Sequence, residues 1–345
     1  MSQDVQVTRG RYVESNHEIH AAVVDNEGRL LYAAGDPDRL TFPRSSMKPF
    51  QAVPLIESGA ADAFGYGDAE ISLSCASHSG EPIHRHAVLD VLSRAHLSEE
   101  DLQCGTHIPR DGESYRELIR EGRELTPVFS NCSGKHSGML LTAVHLNEDT
   151  LTYREIEHPH QQRILSVIAD VCDYPAEEIG IGVDGCGVPV HRLPLRHAAL
   201  GFARLAKPEG TVSETRADAL NRVRRGMTRR PEMVAGKNRF DTDLMRVFQG
   251  NLVAKVGAEG VQCIGVADRG IGIAVKVEDG SERATFVAAM EVLKQLGIGT
   301  DQQFAELADY VHAPVLNARR ERIGEIKPNF VLRNMEEIRE SKIHD

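Results

Sequence analysis

A chain of 345 residues that is 41% hydrophobic is long and apolar enough for one large domain, or two ordinary ones, with a sizeable core. A formal net charge of -11 with no basic block excludes nucleic acid and anionic membranes as partners, since both need clustered Lys and Arg. Six scattered cysteines lack the spacing of a disulfide framework, no stretch is long and apolar enough to span a membrane, and Met1-Ser2-Gln3-Asp4 leads straight into structured-looking sequence. Together these predict a cytoplasmic protein with free or metal-bound thiols.

Taken in chain order, the N-terminal part reads as β. Ile19 to Val24 is an apolar strand, Asp25 to Gly28 is a turn, and Leu30 to Ala34 returns. After Leu40-Thr41-Phe42 come Pro43 to Lys48 and a helix to Glu57 that Pro49 and Pro54 bend or break. Ile71 to Ala76 fits either a strand or a buried helix, and a helix covers Ile83 to Ala95. Ser98 and Asp101 have capping-box spacing. The middle is helical: Gly134 to Leu146, His158 to Val171, Leu195 to Leu205, Val212 to Met227 and Asp241 to Phe248. The basic run Arg222 to Arg230 sits beside acidic residues and reads as a solvated face. Strands return at Leu252 to Val256, Val261 to Ala267 and Gly272 to Val277, followed by helices Glu282 to Leu296 and Gln302 to Tyr310 and a last strand through Arg320 to Ile326.

Strands, many helices, strands and closing helices predict an α+β fold. One antiparallel sheet is built from both chain ends, about 1–44 and 251–345, and a helical portion, about 45–250, is inserted between them.

Five stretches carry residues suited to chemistry. Ser45-x-x-Lys48 places a hydroxyl and an amine on one face of a helical turn. A serine needs such a base, and a lysine serves as one only when burial or nearby cations favour its neutral form. Ser77-His78-Ser79-Gly80-Glu81 supplies either a second hydroxyl, Ser77, to relay a proton, or a loop whose serines bond their own backbone. In Asn131 to Gly138, two glycines bracket Lys135, His136 and hydroxyls, as in an anion-binding nest at a helix start. In Gly182 to Gly187, three glycines surround Asp184 and Cys186 and imply a close backbone approach. Cys132 and Cys186 are either two inert buried thiols or ligands of a soft metal, with a neutral Lys135 or a water as third ligand. Lys255-Val256-Gly257, on a predicted strand, falls where serine penicilloyl-transfer enzymes carry K-T-G.

Five motifs in order, Arg44 to Lys48, Cys75 to Glu81, Asn131 to His136, Asp184 to Gly187 and Ala254 to Gly257, resemble the rhizobial-type, class 3, thermolabile L-asparaginases of the asparaginase II family. The resemblance spans nearly the whole chain. It implies one asparaginase II-type domain over 1–345, a serine β-lactamase-like or penicillin-binding-protein-like fold and a homodimer. It also implies hydrolysis of L-asparagine to L-aspartate and ammonia. By motif, it makes Ser45 the nucleophile with Lys48 as base, and Ser77 with Lys255 a second Ser-Lys pair. It makes Cys132, Lys135 and Cys186 zinc ligands, in a site that tunes substrate binding and is not essential to the chemistry. Asp184 becomes the anchor for the substrate amine. Arg44 suits a bidentate contact to the substrate carboxylate, and His78 is a further candidate contact. Competing expectations are a related amidase for glutamine or a β-lactam, and a catalytically silent, zinc-stabilised ligand-binding protein on the same scaffold.

Overall fold

The structure, a computed structural model, describes residues 3–337. Met1, Ser2 and residues 338–345, the outer ends of the predicted sheet portion, lie outside them. The described residues divide into two units: 3–46, 193–207 and 247–337 form the first, and 47–192 and 208–246 the second.

The first unit is built on an antiparallel sheet. Its strands run in the order Pro314–Leu316, Arg322–Asn329, Asp4–Arg9, Tyr12–Asp25, Ile271–Val277, Val261–Val266 and Leu252–Gly257. Leu30–Ala34 and Arg333–Asn334 pair beside this path. Register is set by the buried face, with Ala22 opposite both Ala274 and Ala33. The sequence predicts a strand only over the apolar run from Ile19. The strand in fact begins at Tyr12, and its polar half, including Ser15 and Asn16, pairs with Asp4–Arg9. The ladder is made of backbone groups, so pairing continues where the side chains face water.

The helix Leu195–Ala206 packs on this sheet. The sequence places it in the helical portion. Two glycines account for its actual place: a Cβ on Gly272 would sit 1.8 Å from Ala199 O, and one on Gly265 would sit 2.3 Å from Phe202 O. Helix and strands approach too closely there for any side chain. The helix Glu282–Gln295 also packs on the sheet.

The second unit is mainly helical. Ser133–His145 is deeply enclosed, with every residue from Ser133 to Ala143 buried. Its two glycines are packing positions rather than an anion nest. A Cβ on Gly134 would meet Leu73 O at 2.4 Å, and one on Gly138 would meet Ser74 Oγ at 3.0 Å. The helix Asp68–Ser74 therefore lies directly against it, which resolves the run from Ile71 as helix. The chain after Lys48 forms two short helices, Lys48–Gln51 and Val53–Glu57, each with proline in its first turn. Proline lacks the amide hydrogen a continuing helix would use, so the break falls where the prolines predict.

Gly180–Val183 and Pro189–Arg192 pair as a hairpin in this unit. Its turn is Asp184-Gly185-Cys186-Gly187, closed by Gly187 N–H donating to Asp184 O at 2.9 Å, and Gly187 adopts φ +85. No alternation of apolar and polar residues announces these strands, and the glycine cluster marked only the turn.

Candidate active site

In the first unit, the serine turn is fastened to the strand Leu252–Gly257. Ser46 Oγ donates to Lys255 O at 2.8 Å, and Ser46 N–H donates to Pro43 O at 3.1 Å. A Cβ on Gly257 would sit 2.1 Å from Pro43 O and 3.0 Å from Ser46 Oγ. Gly257 is thus required because the backbone of the serine turn presses on the strand. Arg44, immediately before Ser45, holds a left-handed φ of 54. A side-chain-bearing residue in that region costs about 1–3 kcal/mol, and such strain collects at functional turns. Ser46 is fully buried, whereas Ser45 keeps partial exposure. The turn therefore hides one hydroxyl as a clasp and leaves its neighbour open to solvent. Lys255 is fully buried, and its ammonium donates to Val256 O at 2.8 Å.

In the second unit, Lys48 is 1% exposed and donates to three acceptors: Ala76 O at 2.6 Å, Ser77 Oγ at 2.9 Å and Cys132 Sγ at 3.2 Å. An ammonium has three hydrogens, and all three are used. Ser77 is itself positioned by its N–H donating to Val234 O at 2.9 Å. Ser77 thus has Lys48 as a hydrogen-bonded neighbour.

Lys48 also ties this hydroxyl to a thiol cluster. Cys132, Lys135 and Cys186 are 4%, 3% and 3% exposed, two soft thiols and one amine all shut away from solvent. Lys135 Nζ donates to Cys186 Sγ at 3.1 Å. Cys132 is held well below the ordinary thiol range, first by a hydrogen bond from Cys186 and then, against the cost of burial, by Lys48 and Lys135. Cys186 is pushed up in turn, by that same bond and by burial. Burial also works against the charge of Lys135, but Cys186, Cys132 and Asp184 outweigh it and its pKa is raised. Among the described residues, no group of three or more His, Cys, Asp or Glu side chains is arranged to hold a metal. A zinc set here depends on the Lys135 amine. Two thiols and that amine, enclosed and mutually adjacent, fit such an ion once Cys186 and Lys135 release their protons.

Asp184 begins the hairpin turn. Its Oδ1 accepts from Gly185 N–H at 2.9 Å, and its Oδ2 lies 3.7 Å from Cys186 Sγ. The turn geometry that needs Gly187 thereby sets this carboxylate beside the thiol cluster.

His78 is enclosed, with both ring nitrogens engaged. It is 1% exposed, its Nδ1 accepts from Gly80 N–H at 3.1 Å, and its Nε2 pairs with Ser133 Oγ at 2.9 Å. Burial, then His84 and Lys48, hold it well below its usual range, so the ring is neutral and braces its loop. It stacks on His84 with ring centroids 4.9 Å apart. Tyr153, which the sequence did not single out, meets His136 beside the cluster. Tyr153 OH lies 2.7 Å from His136 Nδ1, and both side chains are fully buried. Nothing in their sequence spacing shows that they meet.

Comparison with known structures gives distant likenesses. Mglu is 16% identical with a TM-score of 0.37, covering 81% of this chain and 67% of that one. In the tris and glutamate form of Mglu, this chain spans 59% of the other's length. D-alanine carboxypeptidase AmpC from Burkholderia cenocepacia is 15% identical with a TM-score of 0.38, covering 81% of this chain and 93% of that one. A putative β-lactamase from Bacteroides dorei DSM 17855 is 9% identical with a TM-score of 0.43, covering 80% and 92%. A search of curated proteins returns no match. The sequence itself matches the family model for L-asparaginase II over residues 5–328, which takes in the serine turn, the thiol cluster and the strand of Lys255. The chain is an amidohydrolase and belongs to the L-asparaginase II family.

Proposed function

We propose that this amidohydrolase hydrolyses L-asparagine to L-aspartate and ammonia, with Ser45 as nucleophile. The observation that carries the reading is the buried Lys48 ammonium, spent on Ser77 Oγ, Ala76 O and Cys132 Sγ and lying three positions after Ser45 in the chain. When Lys48 gives up one of its protons, its lone pair accepts a hydroxyl proton, and Ser77 is placed to relay it. The Ser45 oxygen then attacks the side-chain amide carbon. Ammonia leaves with the returned proton, an ester remains on Ser45, and water hydrolyses it to aspartate. Asp184 receives the substrate ammonium and Arg44 its carboxylate.

Zinc held by Cys132, Lys135 and Cys186 would supply a fixed positive charge that orders the Asp184 turn. The proton transfers themselves are assigned to Lys48 and Ser77.

The test is ammonia release from L-asparagine and, separately, from L-glutamine. Turnover of asparagine that Ser45→Ala abolishes supports the proposal. Preference for glutamine moves the reading to the related amidase. Wild-type protein that binds asparagine without turnover, with affinity unchanged in Ser45→Ala, moves it to a silent binding protein.

A further inference from the structure

Behind the thiol cluster, His136 looks at first like a missing fourth ligand. It follows Lys135 directly on the buried helix, it is fully buried, its Nε2 has no hydrogen-bond partner among the described residues, and Cys186 is the side chain that most favours protonation of its ring. The hydrogen bonds on the far side of the ring argue otherwise. Tyr153 OH accepts from Gln103 N–H at 2.9 Å, so its own proton must go to another group. Tyr153 is fully buried, and among the described residues the remaining partner of its hydroxyl is His136 Nδ1, at 2.7 Å. The hydroxyl therefore donates to Nδ1. A ring nitrogen that accepts carries no hydrogen, so the ring hydrogen sits on Nε2. That nitrogen then has no lone pair to offer a metal, but it has an N–H to offer a sulfur.

We propose that Tyr153 and His136 form an outer shell to the Cys132–Lys135–Cys186 donor set, in which Tyr153 fixes His136 as its Nε2–H tautomer and His136 donates to the Cys186 thiolate. The inference rests on the metal reading given above. Both residues are positioning residues: they act through Cys186 and touch no substrate.

The surroundings hold Tyr153 in this role. Arg154 Nε donates to Gln103 Oε1 at 2.6 Å, so Gln103 and the Tyr153-Arg154 pair lock together. Arg154 Nη1 lies where a Cβ on Gly187 would come within 2.5 Å, so the same segment abuts the turn that carries Cys186. His136 and Tyr153 also meet edge to face, with centroids 5.5 Å apart and planes at 86°. An acceptor at Nδ1, a donor at Nε2 and a thiolate beyond it make a relay whose polarity runs from the Gln103 amide to the metal ligand. Outer-shell donors of this kind orient a ligand and lower the charge it places on the ion.

The test has two arms. The first uses the full chain with 15N-labelled histidine, metal-free and zinc-loaded, with His136→Gln to assign the signal. Nitrogen spectra that put the ring proton of His136 on Nε2 are expected; a proton on Nδ1 overturns the inference. The second uses cobalt(II) as the probe. Tyr153→Phe keeps the ring and removes the hydroxyl, and its cobalt affinity is expected to fall about 10- to 100-fold, with a shifted thiolate-to-cobalt absorption band. Unchanged affinity and band in a variant of unchanged melting temperature overturn it. Should Tyr153→Phe fail to fold, His136→Gln and His136→Ala decide. Glutamine retains an N–H and is expected to keep more affinity than alanine, and equal losses overturn the inference. Wild-type protein that takes up no cobalt overturns the metal reading and the outer shell with it. That failure is distinct from an Nδ1–H spectrum, which overturns the present inference alone.

Discussion

Lys48 donates to Ser77 across 2.9 Å, inside a region where Lys48 is 1% exposed. That hydrogen bond makes Ser77 the place to test the proposed proton relay. Ser77→Ala removes the relay and leaves the ammonium one acceptor short. The expected result is a fall in kcat of about 100- to 10,000-fold, the usual contribution of a positioned acid or base. Ser45→Ala is expected to remove turnover altogether. Steady-state ammonia release separates the two. Equal residual rates in both variants would deny Ser77 a role distinct from the nucleophile's.

Gly257→Ala tests the clasp between strand and serine turn. Its Cβ would need the space of Pro43 O, 2.1 Å away, and neither backbone segment yields cheaply. The expected cost is about 1–3 kcal/mol of stability, seen as a lower denaturation midpoint. A drop in kcat should accompany it, because the displaced segment carries Ser45. A variant with wild-type kcat and wild-type midpoint would show that the turn is free to move.

His160 and His191 make stability depend on pH. Both are buried with neither ring nitrogen hydrogen-bonded, and burial pushes their pKa values down to about 3 and about 4. Above the unfolded value of about 6.5, both states are uncharged and nothing is gained or lost. Below it, the unfolded chain takes up protons that the folded chain refuses, so stability falls with pH and levels off only near the folded values. At about pH 5 the loss is about 2 kcal/mol for each residue. Urea denaturation at neutral and acid pH measures it, and His160→Leu should flatten the slope. An unchanged slope in that variant would place the acid sensitivity elsewhere.

Removal of metal provides a fourth test. With zinc ordering the Asp184 turn while the proton transfers belong to Lys48 and Ser77, chelation is expected to raise KM more than it lowers kcat. Zinc at about 100 times its Kd should also stabilise the folded chain by about 2.7 kcal/mol. Loss of all turnover with KM unchanged would assign the ion a part in the bond-breaking step.

The sequence shows most of the architecture, because strand periodicity and helix periodicity both come from burial on one face. It is silent where pairing is carried by backbone alone. The polar start of Tyr12–Asp25 and the glycine-bearing Gly180–Val183 have no apolar stripe to betray them. The helix Leu195–Ala206 was legible as a helix but not as a neighbour of the sheet, since the evidence lies in Gly265 and Gly272, far along the chain. Ser45, Lys48, Cys132, Lys135 and Cys186 stand in recognisable motifs. His78 also stands in one, yet its two ring nitrogens are spent on Gly80 and Ser133, a fact only coordinates disclose. The contact between Tyr153 and His136 has no local signature, because it depends on the helix Ser133–His145 meeting a separate turn segment in space.

The sheet joins the first strands of the chain to the last, with Ile19 opposite Val277 and Val5 opposite Pro328. On the ribosome, the opening hairpin must therefore wait with both edges unsatisfied until almost the whole polypeptide has emerged. Such late closure slows folding and leaves edge strands open to wrong partners in the interval. Nascent chains released before Val277 should therefore aggregate.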